Sequence, residues 1–263
     1  MKEALKVPTM AEFFASGKHP EVLFWVGCMG SFDDRAKKVT KAFVKILNKA
    51  GVSFAVLGAE ESCNGDPAKR AGNEFLFQMQ AATNIEVMNG YGVKKIVTAC
   101  PHCFNIIKNE YPGLGGNYEV VHHTQFINQL LEDGRLSMEG GQYKGKRITY
   151  HDPCYLGRGN NIYEAPRELI QKLDAELVEM KSCKKRGLCC GAGGAQMFKE
   201  PEKGDMDINI KRTEEALETK AEIVAAACPF CNTMMTDGVK GKDKEASVSV
   251  MDIAELIANA ADL

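Results

Sequence analysis

A chain of 263 residues, 44% of them hydrophobic, is long enough to bury one core or two of ordinary size. Its formal net charge of -2, with both signs spread along the chain, argues against nucleic acid or a membrane surface as the main partner, and its longest apolar run, Ile223 to Cys228, is too short to cross a bilayer. Residues 1–20 carry neither a continuous apolar stretch nor a small-residue cleavage site, so the ten cysteines are expected in a reducing, cytoplasmic compartment, where thiols serve metal or redox chemistry more often than structural disulfides.

In chain order, residues 1–20 read as an irregular lead-in. Val22-Leu23-Phe24-Trp25-Val26 has strand composition and stops at Gly27-Cys28. A helix is predicted over 33–50, with Ala36, Val39, Ala42, Phe43, Ile46 and Leu47 on one stripe and Gly51 at its end. The run 54–57 leads to Cys63, a helix is predicted over about 67–89, and the run 95–99 leads to Cys100-Pro101-His102-Cys103. A strand at 118–121 and a helix at 124–132 close this half, and Asp133-Gly134 with Gly140-Gly141 mark a linker. The second half repeats the order: a strand at 147–150 ending at Cys154, a helix at 160–173, a strand at 175–180, Cys189-Cys190, a helix at about 207–219, the run 221–227, Cys228-Pro229-Phe230-Cys231, a strand at 247–250 and a helix from Asp252. Alternating strands and helices predict an α/β fold of two pseudo-repeated halves, 21–140 and 141–263. Each is a small parallel sheet flanked by helices, with cysteines at the C-terminal strand ends.

The cysteines repeat as well. Cys28 and Cys63 are 35 positions apart (63 − 28), as are Cys154 and Cys189 (189 − 154); Cys63 to Cys100 is 37 (100 − 63) and Cys189 to Cys228 is 39 (228 − 189). Each half ends in Cys-Pro-x-Cys, so two related metal sites are expected. Cys28, Cys63, Cys100 and Cys103 supply four ligands in the first half. Cys154, Cys189, Cys190, Cys228 and Cys231 supply five in the second, because Asn64 stands where the second cysteine of the pair would be. Four thiolates suit tetrahedral zinc or a four-cysteine iron–sulfur cluster, and spacing does not separate the two. Five suit a larger cluster, and Gly191, Gly193 and Gly194 have no Cβ to keep an inorganic body from the main chain. His151, three residues before Cys154, is a candidate proton donor because an unperturbed imidazole titrates near neutrality. Lys181, Lys184, Lys185 and Arg186 form a basic stretch before the cysteine pair, where an anionic substrate or acidic carrier would be attracted.

His151-Asp152-Pro153-Cys154, Cys189-Cys190-Gly191-Ala192-Gly193-Gly194 and Cys228-Pro229-Phe230-Cys231 resemble the cysteine-rich, Cys-Cys-Gly domain family of heterodisulfide reductase catalytic subunits. The same family includes iron–sulfur subunits of glycerol-3-phosphate, lactate and glycolate oxidising systems. Gly27-Cys28, Cys63-Asn64-Gly65-Asp66-Pro67 and Cys100-Pro101-His102-Cys103 match in degenerate form. The resemblance implies a non-cubane [4Fe-4S] cluster on the five second-half cysteines and a [4Fe-4S] cluster or zinc on the four of the first half.

It further implies an iron–sulfur redox subunit of a heterodisulfide-reductase-like complex, passing electrons to a disulfide or other small-molecule redox substrate, or between a dehydrogenase and a quinone-linked partner. The chain has no ferredoxin-type cysteine run and no dinucleotide fingerprint, so a separate subunit with ferredoxin-type clusters, flavin or haem is expected to donate electrons. In membrane-anchored form that partner would hold the chain at the inner face of a membrane. Two other classes remain open at this point: a non-catalytic zinc-binding structural module, and a metal-free thiol–disulfide exchange enzyme.

Overall fold

The computed structural model describes residues 5–138, 141–200 and 203–263. The chain divides into two compact units, one running to Ser137 and the other from Met138 to Asp262. The first holds α1 (Met10–Ala15), β1 (Val22–Trp25), α2 (Gly27–Phe32), α3 (Ala36–Lys49), β2 (Phe54–Ala55), α4 (Asp66–Arg70), α5 (Glu74–Gly90), β3 (Lys95–Thr98), α6 (Pro101–Asn109), β4 (Glu119–His122) and α7 (His123–Glu132). The second holds β5 (Arg147–Tyr150), α8 (Glu164–Gln171), β6 (Glu176–Leu177), α9 (Ile208–Glu218), β7 (Ile223–Ala226), α10 (Pro229–Gly241), β8 (Ser249–Asp252) and α11 (Ile253–Ala260).

Each unit contains one four-stranded sheet, in the orders β2-β1-β3-β4 and β6-β5-β7-β8, which is the same topology twice. Every pairing is parallel, so all C-terminal strand ends in a unit share one edge. That explains the continuous apolar character of β1 and β7. Strands covered on both faces need no polar alternation, and all eight of their residues are buried. Across α3, the buried Val39, Phe43, Ile46 and Leu47 follow the 3.6-residue repeat, and Phe43 packs edge-on to Phe24 of β1 at 5.1 Å.

Four expectations change in detail. The lead-in is ordered from Pro8: Thr9 and Glu12 form a capping box that starts α1, Met10 is buried, and Pro8 and Met10 hydrogen-bond Val56 beside β2. The first strand stops before Gly27 as expected, but Gly27 opens α2, a short helix ahead of the one expected from 33. The long helix over 67–89 is two, because Gly72 takes a φ of +88° and Asn73 caps a fresh start by accepting from the Leu76 amide at 3.0 Å. The helix expected from 160 begins only at Glu164, since Asn161 has a left-handed φ of 57°. Gly140 of the expected linker lies outside the described residues.

Candidate metal centres

In the second unit, Cys154 follows β5 and Cys228 caps α10 just after β7. Cys231 sits in the first turn of α10, and Cys189-Cys190 lie in the long connection from β6 to α9. The parallel topology delivers all of them to one sheet edge. Their thiols form an unbroken row: Cys154 touches Cys189, Cys189 touches Cys190, Cys190 touches Cys231, and Cys231 touches Cys228. Cys190, Cys228 and Cys231 are buried, whereas Cys154 and Cys189 are half-buried, so the row opens at the Cys154–Cys189 end.

Thiol neighbours dominate the row's electrostatics. Hydrogen bonds from Cys154 and then Cys190, helped by the Gly191 amide at 3.3 Å, hold Cys189 far below the ordinary thiol range. Its neighbours move the other way: Cys190, donating to Cys189, is pushed up to about 12, and Cys154 and Cys231 are raised for the same reason, reinforced by burial. Within the row the thiol hydrogen bonds thus favour the thiolate at Cys189 and the thiol at its neighbours. A polynuclear cation would draw off the thiol protons. Of the three glycines, Gly191 has a φ of +93° and Ile208 and Met234 carbons 3.4 Å from where its Cβ would lie, Gly194 has a φ of +65° with nothing within 4 Å, and Gly193 has neither constraint.

His151 is buried, with a ring nitrogen within 4.8 Å of the Cys190 and Cys231 sulfurs. Arg212, also buried, donates from Nε to its Nδ1 at 3.0 Å, which leaves the imidazole proton on Nε2. Burial, then the Arg212 charge, lowers the imidazole pKa to about 3. The near-neutral titration expected from sequence is thus lost at this position: the ring is neutral, and what it offers is an N–H. Asp152 receives a bidentate pair from buried Arg167 at 2.8 and 2.9 Å and also accepts the Lys184 amide at 2.7 Å, tying the turn before Cys154 to the connection before Cys189.

The first unit brings Cys28, Cys63, Cys100 and Cys103 together in the corresponding place. Cys100 and Cys103 share a hydrogen bond, and Cys28 feels both Cys100 and Cys63. Burial raises Cys28 to about 12 and raises Cys63 as well; contact with Cys100, then burial, raises Cys103. Asn64 does not face this group as a ligand would: its Oδ1 accepts the Asp66 amide at 2.9 Å and starts α4. His102 is held by Asp66 at 2.8 Å; burial lowers its pKa, but the Asp66 hydrogen bond and Cys100 outweigh that and the net shift is upward.

Sequence reasoning missed Glu61, whose carboxylate accepts the Val26 and Gly27 amides at 3.0 and 2.6 Å beside Cys28 and is raised by burial to about 7. It also missed Arg212 and the Trp25 indole. Only the two-residue offset of Glu61 from Cys63 was there to find. The basic stretch is partly committed to structure, since Lys184 pairs with Glu164 at 2.7 Å.

Two copies of a parallel α/β unit, each gathering cysteines at its C-terminal strand edge, define a duplicated cysteine-rich protein. The cysteine-rich domain family model matches residues 22–108 and 148–236, and the chain belongs to that family. It is 46% identical over 254 residues to a Bacillus subtilis protein named "Probable iron-sulfur-binding oxidoreductase FadF", covering 96% of this chain and 36% of that one. It is 46% identical over 247 residues to the EtfAB:quinone oxidoreductase of Syntrophomonas wolfei, covering 92% and 34%. With one component of the dihydromethanophenazine:CoB–CoM heterodisulfide reductase of Methanosarcina barkeri it shares 35% identity over 250 residues, covering 92% and 59%. The chain thus spans about a third of the length of the first two relatives. No helix among the described residues is long and apolar enough to cross a membrane.

Proposed function

We propose that this chain is the redox module that carries electrons from a flavoprotein dehydrogenase toward a quinone-linked, membrane-associated partner. The observation that carries the reading is the row of five touching thiols, one more than a tetrahedral ion takes. Cys154, Cys189, Cys190, Cys228 and Cys231 would hold a non-cubane [4Fe-4S] cluster, and Cys28, Cys63, Cys100 and Cys103 a second [4Fe-4S] cluster, with zinc as the alternative there. When bound, these groups supply one-electron redox chemistry.

The residues around them bind and shield. Cys190, Cys228 and Cys231 keep water from the inner side, while half-buried Cys154 and Cys189 leave one side within reach of a partner or a substrate. His151 presents a fixed N–H on the inner side, with its tautomer set by Arg212. The higher identity to a flavoprotein:quinone oxidoreductase than to a heterodisulfide reductase favours the quinone-linked route. The missing fifth ligand at Asn64 weakens disulfide cleavage shared between two equivalent centres.

Anaerobically purified protein is expected to be brown and to contain iron and acid-labile sulfide, and Cys190→Ser to change one EPR signal and spare the other. Colourless protein with zinc alone, or thiol exchange that survives chelation, would end the proposal. Reduced electron-transfer flavoprotein should bleach the clusters, and a short-chain quinone offered with a quinone-reactive partner should restore the colour. Reoxidation by a small heterodisulfide instead would place a disulfide at the electron outlet.

A further inference from the structure

The internal repeat pairs His151, the first residue of the His151-Asp152-Pro153-Cys154 motif, with Trp25, which lies outside the quoted motifs. Trp25 lies three positions before Cys28, and His151 lies three positions before Cys154. Both rings are buried, at 0% and 1% exposure, where β1 and β5 end. The Trp25 indole Nε1 has no hydrogen-bond partner among the described residues. It also lies beside the thiol group: a Cβ on Gly27 would lie 3.0 Å from Cys103 Sγ and 4.0 Å from Trp25 Nε1, so nitrogen and sulfur flank the same glycine. In the second unit the His151 ring borders Cys231, the counterpart of Cys103, and Arg212 fixes its proton on Nε2. An unpaired N–H in a dry interior costs about 1–3 kcal/mol, so the Trp25 donor calls for an acceptor, and at the same register of the second repeat the His151 ring lies within 4.8 Å of two thiol sulfurs.

We infer that Trp25 and His151 each donate a ring N–H hydrogen bond to a sulfur of the metal centre in their own unit and so raise its reduction potential. The inference rests on the iron–sulfur reading above. A reduced centre is more negative than an oxidised one, so the positive end of an N–H dipole stabilises it more and shifts the potential upward. The two donors differ in kind. An indole N–H is fixed chemically, whereas the imidazole N–H depends on Arg212 holding the tautomer.

Trp25 is the sole tryptophan of the chain, so no substitution is needed to test its part. Protein labelled with 15N at the indole, reduced anaerobically, should show a weak 15N coupling to the first centre in pulsed EPR; a paramagnetic first centre without it overturns the inference. Trp25→Phe keeps an aromatic ring and removes the donor, and with iron and sulfide retained it should shift the first centre's midpoint potential negative. His151→Phe should do the same at the second centre. Retained iron with unchanged potentials in both variants overturns the inference. Metal analysis of Cys231→Ser, which leaves only the first centre complete, separates the two kinds of failure: zinc there removes the iron reading and the role of Trp25 with it, while iron without the coupling removes the role alone.

Discussion

At the residue scale, Asn64 marks how the two repeats diverged. A cysteine at this register contributes a sulfur to the row in the second unit, while Asn64 turns its Oδ1 to the Asp66 amide. Asn64→Ala should therefore cost about 1 kcal/mol in chemical denaturation, the ordinary net loss for one side-chain-to-backbone hydrogen bond. The EPR spectrum of the first centre should stay as it was, and a changed spectrum would show Asn64 to be a ligand. Gly27 carries the opposite risk. Its φ of +77° and the 3.0 Å approach of Cys103 Sγ to its missing Cβ mean that Gly27→Ala strains the backbone by about 1–2 kcal/mol and pushes on the Cys103 thiol, a proposed ligand. Iron analysis should find the first centre depleted and the second intact. The cysteines were legible in the sequence because spacing alone brackets a parallel repeat. Trp25 and Arg212 were not, because their roles come from which way a buried side chain points.

At the element scale, the long connection from β6 to α9 brings in the cysteine pair with almost no regular structure of its own, so side chains must anchor it. Arg167 of α8 is the anchor: it grips Asp152 with two hydrogen bonds and Glu179 with two more at 2.6 and 2.9 Å, and Asp152 in turn holds the Lys184 amide. Arg167→Leu leaves the carboxylate of buried Asp152 without its counter-charge, which typically costs about 3–5 kcal/mol. Urea unfolding should show that loss, and cluster retention in the second unit should fall with it, while Arg167→Lys recovers only part because one ammonium cannot span both carboxylates. A helix of unremarkable sequence thus helps to position the five-thiol row. From sequence, 160–173 reads simply as a helix, and nothing in that reading says that one arginine faces inward. The capping box at Thr9 and Glu12, by contrast, was there to be read and places α1 within the first unit.

At the scale of the whole molecule, a duplicated fold has been given unequal sets of cysteines. The strand order is the same in both sheets, so the difference lies in side chains: five thiols against four, a histidine donor against an indole, and an Arg212 charge beside the second centre. Each of these changes the charge or hydrogen bonding around a cluster, so two centres of equal potential are not expected. A reductive titration of the intact protein followed by EPR should show two separate waves. Cys28→Ser should remove or distort one species and Cys231→Ser the other, because these thiols belong to different compact units. If either substitution abolished both waves, the ligands would have to be shared in a single centre, and the repeat would describe the ancestry of the chain without dividing its chemistry. Separate waves would instead give the module an internal order for electrons, entering at the centre of lower potential and leaving from the higher.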